Sequence, residues 1–165
     1  MDSSEDRTNQ NYVQDNMQKY YNYREQMTRL KKALKSQFFL EAIFIEYSIM
    51  EDRLESVLRH AGVWEKMLEK AKKSGRPNIS IETKIKKVEE LARKKGTLEN
   101  KYFSGDLMNN IRSWKDKRNP LMHALLKLQL HTEDLEQVAM DGEALVKEMC
   151  SKSTSFRRAV EKNRE

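Results

Sequence analysis

Glycine and proline, the residues that interrupt regular structure most often, are scarce in this chain, with five glycines and two prolines among 165 residues. Between them, apolar side chains recur at steps of three and four residues, with charged residues in the gaps. That spacing gathers the apolar side chains on one face of an α-helix, whereas a half-buried β-strand needs a strict alternation that the sequence lacks. The sequence therefore predicts an all-α protein, built as an antiparallel bundle of four to five helices.

The second predicted helix is the most apolar, and it indicates where the bundle is centred. It spans about 36–61, and its first two turns, residues 38–45, are apolar nearly all round. Such a helix sits in the middle of a bundle or is covered by a partner. Other helices are predicted over about 11–34 and 63–74, and after N-caps at Ser80, Ser104 and Thr132.

Composition divides the chain into three parts: a flexible N-terminus over residues 1–10, the helical bundle over 11–150 and a basic C-terminal tail over 151–165. No run of residues is apolar enough to cross a membrane, and the polar, acidic first residues are unlike a secretory signal. The lone cysteine, Cys150, excludes an internal disulfide. These features predict a cytoplasmic protein with a reduced thiol and no membrane association.

Positive charge is concentrated in two stretches of the sequence. Residues 66–101 carry twelve Lys or Arg against five Glu, and residues 151–165 carry five basic against two acidic side chains. The formal net charge of +6 is therefore unevenly distributed. A basic segment on a less basic body suits a polyanionic partner, and the alternative is a solvated, lysine-rich helix face.

A candidate site lies where an apolar helical stripe that ends at Trp114 is interrupted. Four residues after Trp114, the same face carries Arg118. Asn119 and Pro120 follow, and Asn is a favoured helix N-cap while Pro is favoured at the first helical position. One helix is therefore predicted to end at Arg118 and a new one to begin at Pro120, with His123 in its first turn.

This set of groups suits phosphate chemistry. A guanidinium such as that of Arg118 binds phosphate through two parallel hydrogen bonds, and the free N–H groups at a helix start favour anions. The positive end of the predicted helix lowers the proton affinity of His123 and leaves a neutral imidazole that acts as a base. The set fits cleavage of RNA without a metal: His123 takes the proton of a ribose 2′-OH, and Arg118 stabilises charge on the phosphoryl oxygens.

The segment over residues 111–125, in which residues 118–123 read RNPLMH, resembles the signature of HEPN domains: an arginine, a polar residue, a short spacer and a histidine. HEPN domains are helical bundles with this motif at the junction into their final helices. The resemblance implies a HEPN-like fold and a metal-independent endoribonuclease that acts on RNA as a toxin or in defence. It implies Arg118 and His123 as catalytic residues and Asn119 as their polar support. It also implies a homodimer whose paired motifs face one cleft and, in some members, a nucleotidyltransferase-type antitoxin as partner.

Three alternatives to catalysis stay open at the level of sequence. In the first, His123 is buried and bonded to a backbone carbonyl while Arg118 pairs with a carboxylate. In the second, the chain is a non-catalytic HEPN-like module for dimerisation or for docking a partner. In the third, it is an adaptor that binds nucleic acid through the basic residues 66–101 alone.

Two further groups of residues bear on a site. The carboxylates of Glu46, Glu51 and Asp52 on the second helix either orient Arg118 or face water and neighbouring helices. The remaining histidines and the lone cysteine have no neighbouring set of metal ligands, so neither a metal site nor a cofactor is predicted.

Overall fold

The computed structural model describes residues 16–125 and 131–164, and all regular structure in those residues is helical. The helices are α1 (Asn16–Lys35), α2 (Phe39–His60), α3 (Trp64–Lys73), α4 (Ile81–Ala92), α5 (Leu98–Phe103), α6 (Leu107–Ala124) and α7 (Thr132–Lys162). The all-α prediction is confirmed for this part of the chain, which holds five helices of twelve or more residues and two shorter ones, α3 and α5. The predicted flexible segment 1–10 and the predicted helix start near residue 11 lie outside the described residues.

Helix α2 forms the centre of the bundle, although Leu40 and Phe44 in its apolar first turns stay exposed. It packs against α1, α3 and α4 and most extensively against α7. Ala42, Ile43, Met50 and Leu54 of α2 are completely buried. Removing such apolar surface from water is the main favourable term in folding. Despite this apolar centre, none of the helices in the described residues combines the length and the apolarity needed to cross a membrane.

Local signals set several helix ends where the sequence predicts them. Ser80 caps α4, and its hydroxyl oxygen accepts a hydrogen bond from the backbone N–H of Thr83 at 3.2 Å. Helix α2 ends just before Gly62, whose φ of +76° lies in the left-handed region that glycine adopts without strain. The predicted loop at residues 75–78 separates α3 from α4.

Two predicted helix caps are wrong. Ser104 is the C-cap of the short helix α5, which the sequence does not predict, and α6 begins after Asp106. Thr132 is the first residue of α7, and His131 takes the cap position without a side-chain hydrogen bond. Both shifts are one or two residues, the distance over which helix ends commonly fray.

Helix α7 extends past its predicted end at residue 150 and takes up most of the segment predicted as a basic tail. It runs to Lys162, and Phe156 within it is completely buried. The ring of Phe156 meets that of Phe103 edge-on, with centroids 5.5 Å apart. Because Ser153 and Phe156 continue the buried face of Met149, residues 151–162 belong to the bundle and not to a tail.

A cluster of ion pairs joins α4 to α6. Arg112 of α6 donates to Glu82 at 2.9 Å and to both carboxylate oxygens of Glu89, at 2.9 and 2.6 Å. Lys115 donates to Glu82 at 2.7 Å. Hydrogen bonds from Lys115 and Arg112 hold the pKa of Glu82 below its usual range, and Arg112 does the same for the pKa of Glu89. The cluster fixes the first half of the helix that carries Arg118.

Replacing Arg112 with lysine is expected to lower the free energy of unfolding by about 1 kcal/mol at neutral pH, because an ammonium cannot reproduce the forked contacts of this guanidinium, which is 24% exposed. Glu82 and Glu89 contribute stability above their ordinary pKa of 4.5, and this is lost as the pH falls through their lower folded values. The difference in the free energy of unfolding between wild type and Arg112→Lys should therefore become smaller at acidic pH. Urea unfolding at neutral and acidic pH measures it, with the exposed Arg158→Lys, which lies outside the cluster, as control. Equal stability of wild type and Arg112→Lys at neutral pH would contradict a stabilising role for the cluster.

Candidate functional site

Helix α6 is continuous through the residues where the sequence predicts a break, with Pro120 inside it. A proline at this position supplies no N–H to the carbonyl of Asp116. Packing on both sides holds the helix together, since Trp114 before the proline and Ala124 after it are buried. The predicted helix start at Pro120 is therefore wrong, and α6 offers no helix N-terminus as an anion site at this point.

Arg118 lies on the side of α6 that faces α2. Its Cζ is 4.1 Å from the centroid of the Tyr47 ring, and its Nη1 donates to Asn119 Oδ1 at 3.1 Å. Its Nε is buried and has no hydrogen-bond partner. Among the described residues, no carboxylate lies within ion-pair distance of this guanidinium. The Arg118 guanidinium is thus oriented by an aromatic ring and an amide, and it has further N–H donors for hydrogen bonds to a ligand.

His123 lies in the last turn of α6 and is exposed to solvent. It follows Arg118 by five positions, and in a continuous helix five residues turn through about 500°, so the two side chains leave the axis about 140° apart. No hydrogen bond joins the two side chains, both of which the structure describes. The partial charge at this end of a helix is negative, opposite to that predicted. Within one chain, Arg118 is therefore joined to Asn119 but not to His123.

The purely structural interpretation of the motif is contradicted on both of its points. It expects a buried histidine, whereas His123 is exposed. It expects an arginine paired with a carboxylate, whereas Arg118 contacts Tyr47 and Asn119. The two candidate side chains are therefore not explained by burial or by ion pairing within the described chain.

The α2 carboxylates that were candidates to orient Arg118 lie elsewhere. Glu51 accepts a hydrogen bond from Lys84 at 3.1 Å. Asp52 pairs with Lys19 and with Arg53, and these cations hold the pKa of Asp52 below its usual range against the opposing effect of burial. Neither residue contacts the guanidinium, so the ring of Tyr47 is what α2 contributes to the site.

Glu46 is completely buried where α2, α6 and α7 meet. Neither of its carboxyl oxygens has a hydrogen-bond partner. Burial, with a smaller contribution from Glu143, raises the pKa of Glu46 to about 9, so the carboxyl is neutral at pH 7. Gly142 of α7 leaves room for this carboxyl, and beside it Trp114 Nε1 donates to the carbonyl of Val138 at 2.8 Å. The junction aligns the helix that carries Arg118 against its two neighbours.

Two residues of this region are not assigned a role by the sequence. Tyr47 lies far from Arg118 along the chain, and no local spacing connects them. Burial raises the pKa of Tyr47, so its phenol stays protonated under the arginine. Gly142 did carry a signal, because a glycine inside a helix is unfavourable by about 1 kcal/mol and indicates a close approach.

The basic segment 66–101 keeps a positive surface in the folded chain. Lys84 is an exception, since its side chain is 6% exposed, pairs with Glu51 and lies 5.5 Å from the centroid of the Trp64 ring. Lys87 is paired with Glu90 at 2.9 Å. The other basic side chains of the segment are exposed, namely Lys66, Lys70, Lys72, Lys73, Arg76, Lys86, Arg93, Lys94, Lys95 and Lys101.

The arrangement as a whole can bind an anion at Arg118 and exchange protons with solvent at His123. Comparison with known protein families, curated proteins and solved structures finds no match to this chain. The assignment of a function therefore depends on the residues themselves.

Proposed function

We propose that this chain is a HEPN-like, metal-independent endoribonuclease that acts as a toxin or defence effector in the cytoplasm. The observation that carries the proposal is the guanidinium of Arg118, which stacks on Tyr47 and has no carboxylate partner among the described residues. Such an arginine is available to phosphate oxygens. The exposed His123 on the same helix supplies a group that can move a proton, and the resemblance of residues 118–123 to the HEPN signature supplies the roles.

In the proposed reaction, His123 removes the proton of a ribose 2′-OH. The 2′-oxygen then attacks the adjacent phosphorus while the bond from phosphorus to the 5′-oxygen breaks. A second imidazole returns a proton to the departing oxygen, so the products are a 2′,3′-cyclic phosphate and a 5′-hydroxyl. Arg118 stabilises the charge that builds on the phosphoryl oxygens, and a group in this role contributes on the order of 10²–10³ in rate. Asn119 keeps the guanidinium oriented through the hydrogen bond to Nη1.

A homodimer is the proposed source of the second imidazole. Since Arg118 and His123 leave the axis of α6 about 140° apart, one chain directs them to different sides. In a two-fold dimer, His123 of one copy can lie beside Arg118 of the other. One histidine then serves as base and the other as acid across a shared cleft. A nucleotidyltransferase-type antitoxin, implied by the resemblance for some HEPN proteins, is the proposed cellular partner.

The charge on the surface supports RNA as the substrate. The exposed lysines and arginines of residues 66–101 create a positive field that draws a polyanion towards the protein. Binding that depends on phosphate contacts weakens steeply as salt rises, because condensed counterions are released on association. Cleavage rates at limiting RNA should therefore fall with ionic strength.

Pure protein is expected to cleave RNA in the presence of EDTA, and His123→Ala and Arg118→Ala are each expected to slow cleavage about a hundredfold or more. His131→Ala removes another exposed histidine and is the matched control, with full activity expected. Circular dichroism and thermal unfolding confirm that each variant is folded. Cleavage that persists in both variants, or that EDTA abolishes, would contradict the proposal.

A second candidate is a non-catalytic helical module of the same architecture. The contact of Arg118 with Tyr47 favours it, because this contact joins α6 to α2 and would by itself explain the arginine. In that case wild-type protein does not cleave RNA, and Arg118→Ala lowers thermal stability while His123→Ala changes nothing measurable. The same set of variants therefore distinguishes the two functions.

A further inference from the structure

An open groove of about 480 Å³ runs between α1 and α2. On α1 its lining extends from Lys19 to Arg29, which is about 15 Å or three helical turns. Its floor is apolar, since Ile45 and Ile49 of α2 lie there and are 6% exposed. None of the proposed catalytic residues lines it. The groove is therefore separate from the proposed ribonuclease function.

The α2 rim of the groove is an exposed apolar surface. Phe44 lines the groove and is 65% exposed, and Leu40, one turn earlier on the same face, is 38% exposed. These side chains account for the nearly all-round apolar start of α2, which the bundle covers on one side only. Contiguous apolar surface beside a groove is typical of a docking site.

The α1 wall of the groove is cationic. Helix α1 contains six Lys or Arg and one Glu. Two of these cations, Lys19 and Arg29, line the groove, and Lys19 pairs with Asp52 at 3.4 Å. Asp52 and Arg53 of α2 line it too, so the lining carries three cations and one carboxylate. Arg29 has no ion pair among the described residues. An occupant must therefore match an apolar strip on one side and positive charge on the other.

We propose that the α1–α2 groove docks an amphipathic helix of a partner protein, with its apolar face on Phe44 and Ile45 and acidic residues against Arg29 and Lys19. A helix of about three turns spans the groove and presents apolar side chains at steps of three and four residues. A second copy of this chain fits poorly, because a two-fold contact through this face brings two basic α1 helices together. Single-stranded RNA also fits less well, since Tyr23 is half-buried under Arg53 and leaves Phe44 as the exposed aromatic of the lining.

The test selects binders from a displayed library of random 18-residue peptides, using the intact purified chain as bait. Enriched sequences are expected to be acidic and to repeat apolar residues at helical steps. The affinity of a selected peptide, measured by fluorescence anisotropy, should fall about tenfold or more for Phe44→Ser and for Arg29→Ser. Tyr21→Ser and Lys31→Ser change an exposed aromatic residue and an exposed cation that do not line the groove, and they should leave affinity unchanged.

Four results would overturn the proposal. If the enriched peptides have no excess of acidic residues, positive charge on α1 does not select the occupant. If the affinity of the peptides is the same for wild type, Phe44→Ser and Arg29→Ser, they bind outside the groove. A self-association in sedimentation velocity that Phe44→Ser abolishes assigns the groove to a second copy. If single-stranded RNA displaces the peptide, and Phe44→Ser weakens RNA binding as much as peptide binding, the groove is assigned to nucleic acid. RNA cleavage by these variants is expected to stay at the wild-type rate, so the outcome is independent of the ribonuclease assay.

Discussion

The stability that Glu46→Gln gains over wild type is expected to be about 3 kcal/mol larger at pH 7 than well below pH 4.5. The carboxyl has an ordinary pKa of 4.5 and a pKa of about 9 in the folded chain, because it is buried without a hydrogen-bond partner. Between these values the unfolded chain has released the proton and the folded chain has kept it, so stability falls as the pH rises. Glutamine has nearly the same shape and cannot ionise, so it removes this pH-dependent penalty.

Chemical denaturation of wild type and Glu46→Gln, from well below pH 4.5 to above pH 9, measures the effect. The difference in favour of the variant should be smallest at the lower limit, where the carboxyl is protonated in both states, and above pH 4.5 it should grow by about 1.4 kcal/mol per pH unit. Above pH 9 the folded carboxyl ionises as well, and the difference should stop growing. Glu41→Gln removes an exposed carboxylate from the same helix and is the matched control. A Glu46→Gln difference that does not change with pH would show that Glu46 is ionised in the fold.

Replacing Gly142 with alanine is expected to destabilise the chain by about 2 kcal/mol, although alanine is the better helix former by about 1 kcal/mol. A Cβ at this position overlaps Oε2 of Glu46, and it lies 2.7 Å from Cδ of that residue and 3.0 Å from Cε2 of Trp114. Both neighbours are buried, so they have little space into which to move. The overlap therefore outweighs the gain in helix propensity.

A double-mutant cycle identifies the contact responsible. In a Glu46→Ala background the carboxyl is absent, and Gly142→Ala should become close to neutral, with a coupling of about 1–2 kcal/mol between the two sites. Gly105→Ala is the control, because nothing lies within 4 Å of a Cβ placed there. If Gly142→Ala costs the same in both backgrounds, the Glu46 carboxyl is not what requires glycine.

The sequence predicts the helices well where their signals are local. The Ser80 cap and the end of α2 before Gly62 depend on side chains within a few residues, and both are confirmed. Pro120 is the opposite case, because the helix passes through it on the strength of packing by Trp114 and Ala124. Tertiary contacts of this kind override local preference and cannot be read from spacing.

The same division applies to the candidate site. The face of α6 that carries Arg118 follows from local spacing. Arg118 lies four residues after the buried Trp114, so it is predicted to face the bundle, and there it contacts Tyr47. The direction of the His123 side chain could not be predicted locally, because the prediction assumed a helix break at Asn119 and Pro120, whereas the helix is continuous there. The burial of Phe156 had a local signal, for it follows Met149 by seven positions, but the surrounding charge favoured a tail. The ribonuclease function stays a prediction.

Helix α7 also determines when the chain can finish folding during synthesis. Glu46 and the glycine that accommodates it, Gly142, are separated by about a hundred residues, which a ribosome adds in roughly 5–20 s. Throughout that interval the nascent α2 lacks the helix that packs most extensively against it. The growing polypeptide therefore leaves part of its most apolar helix uncovered until the residues around Gly142 have emerged.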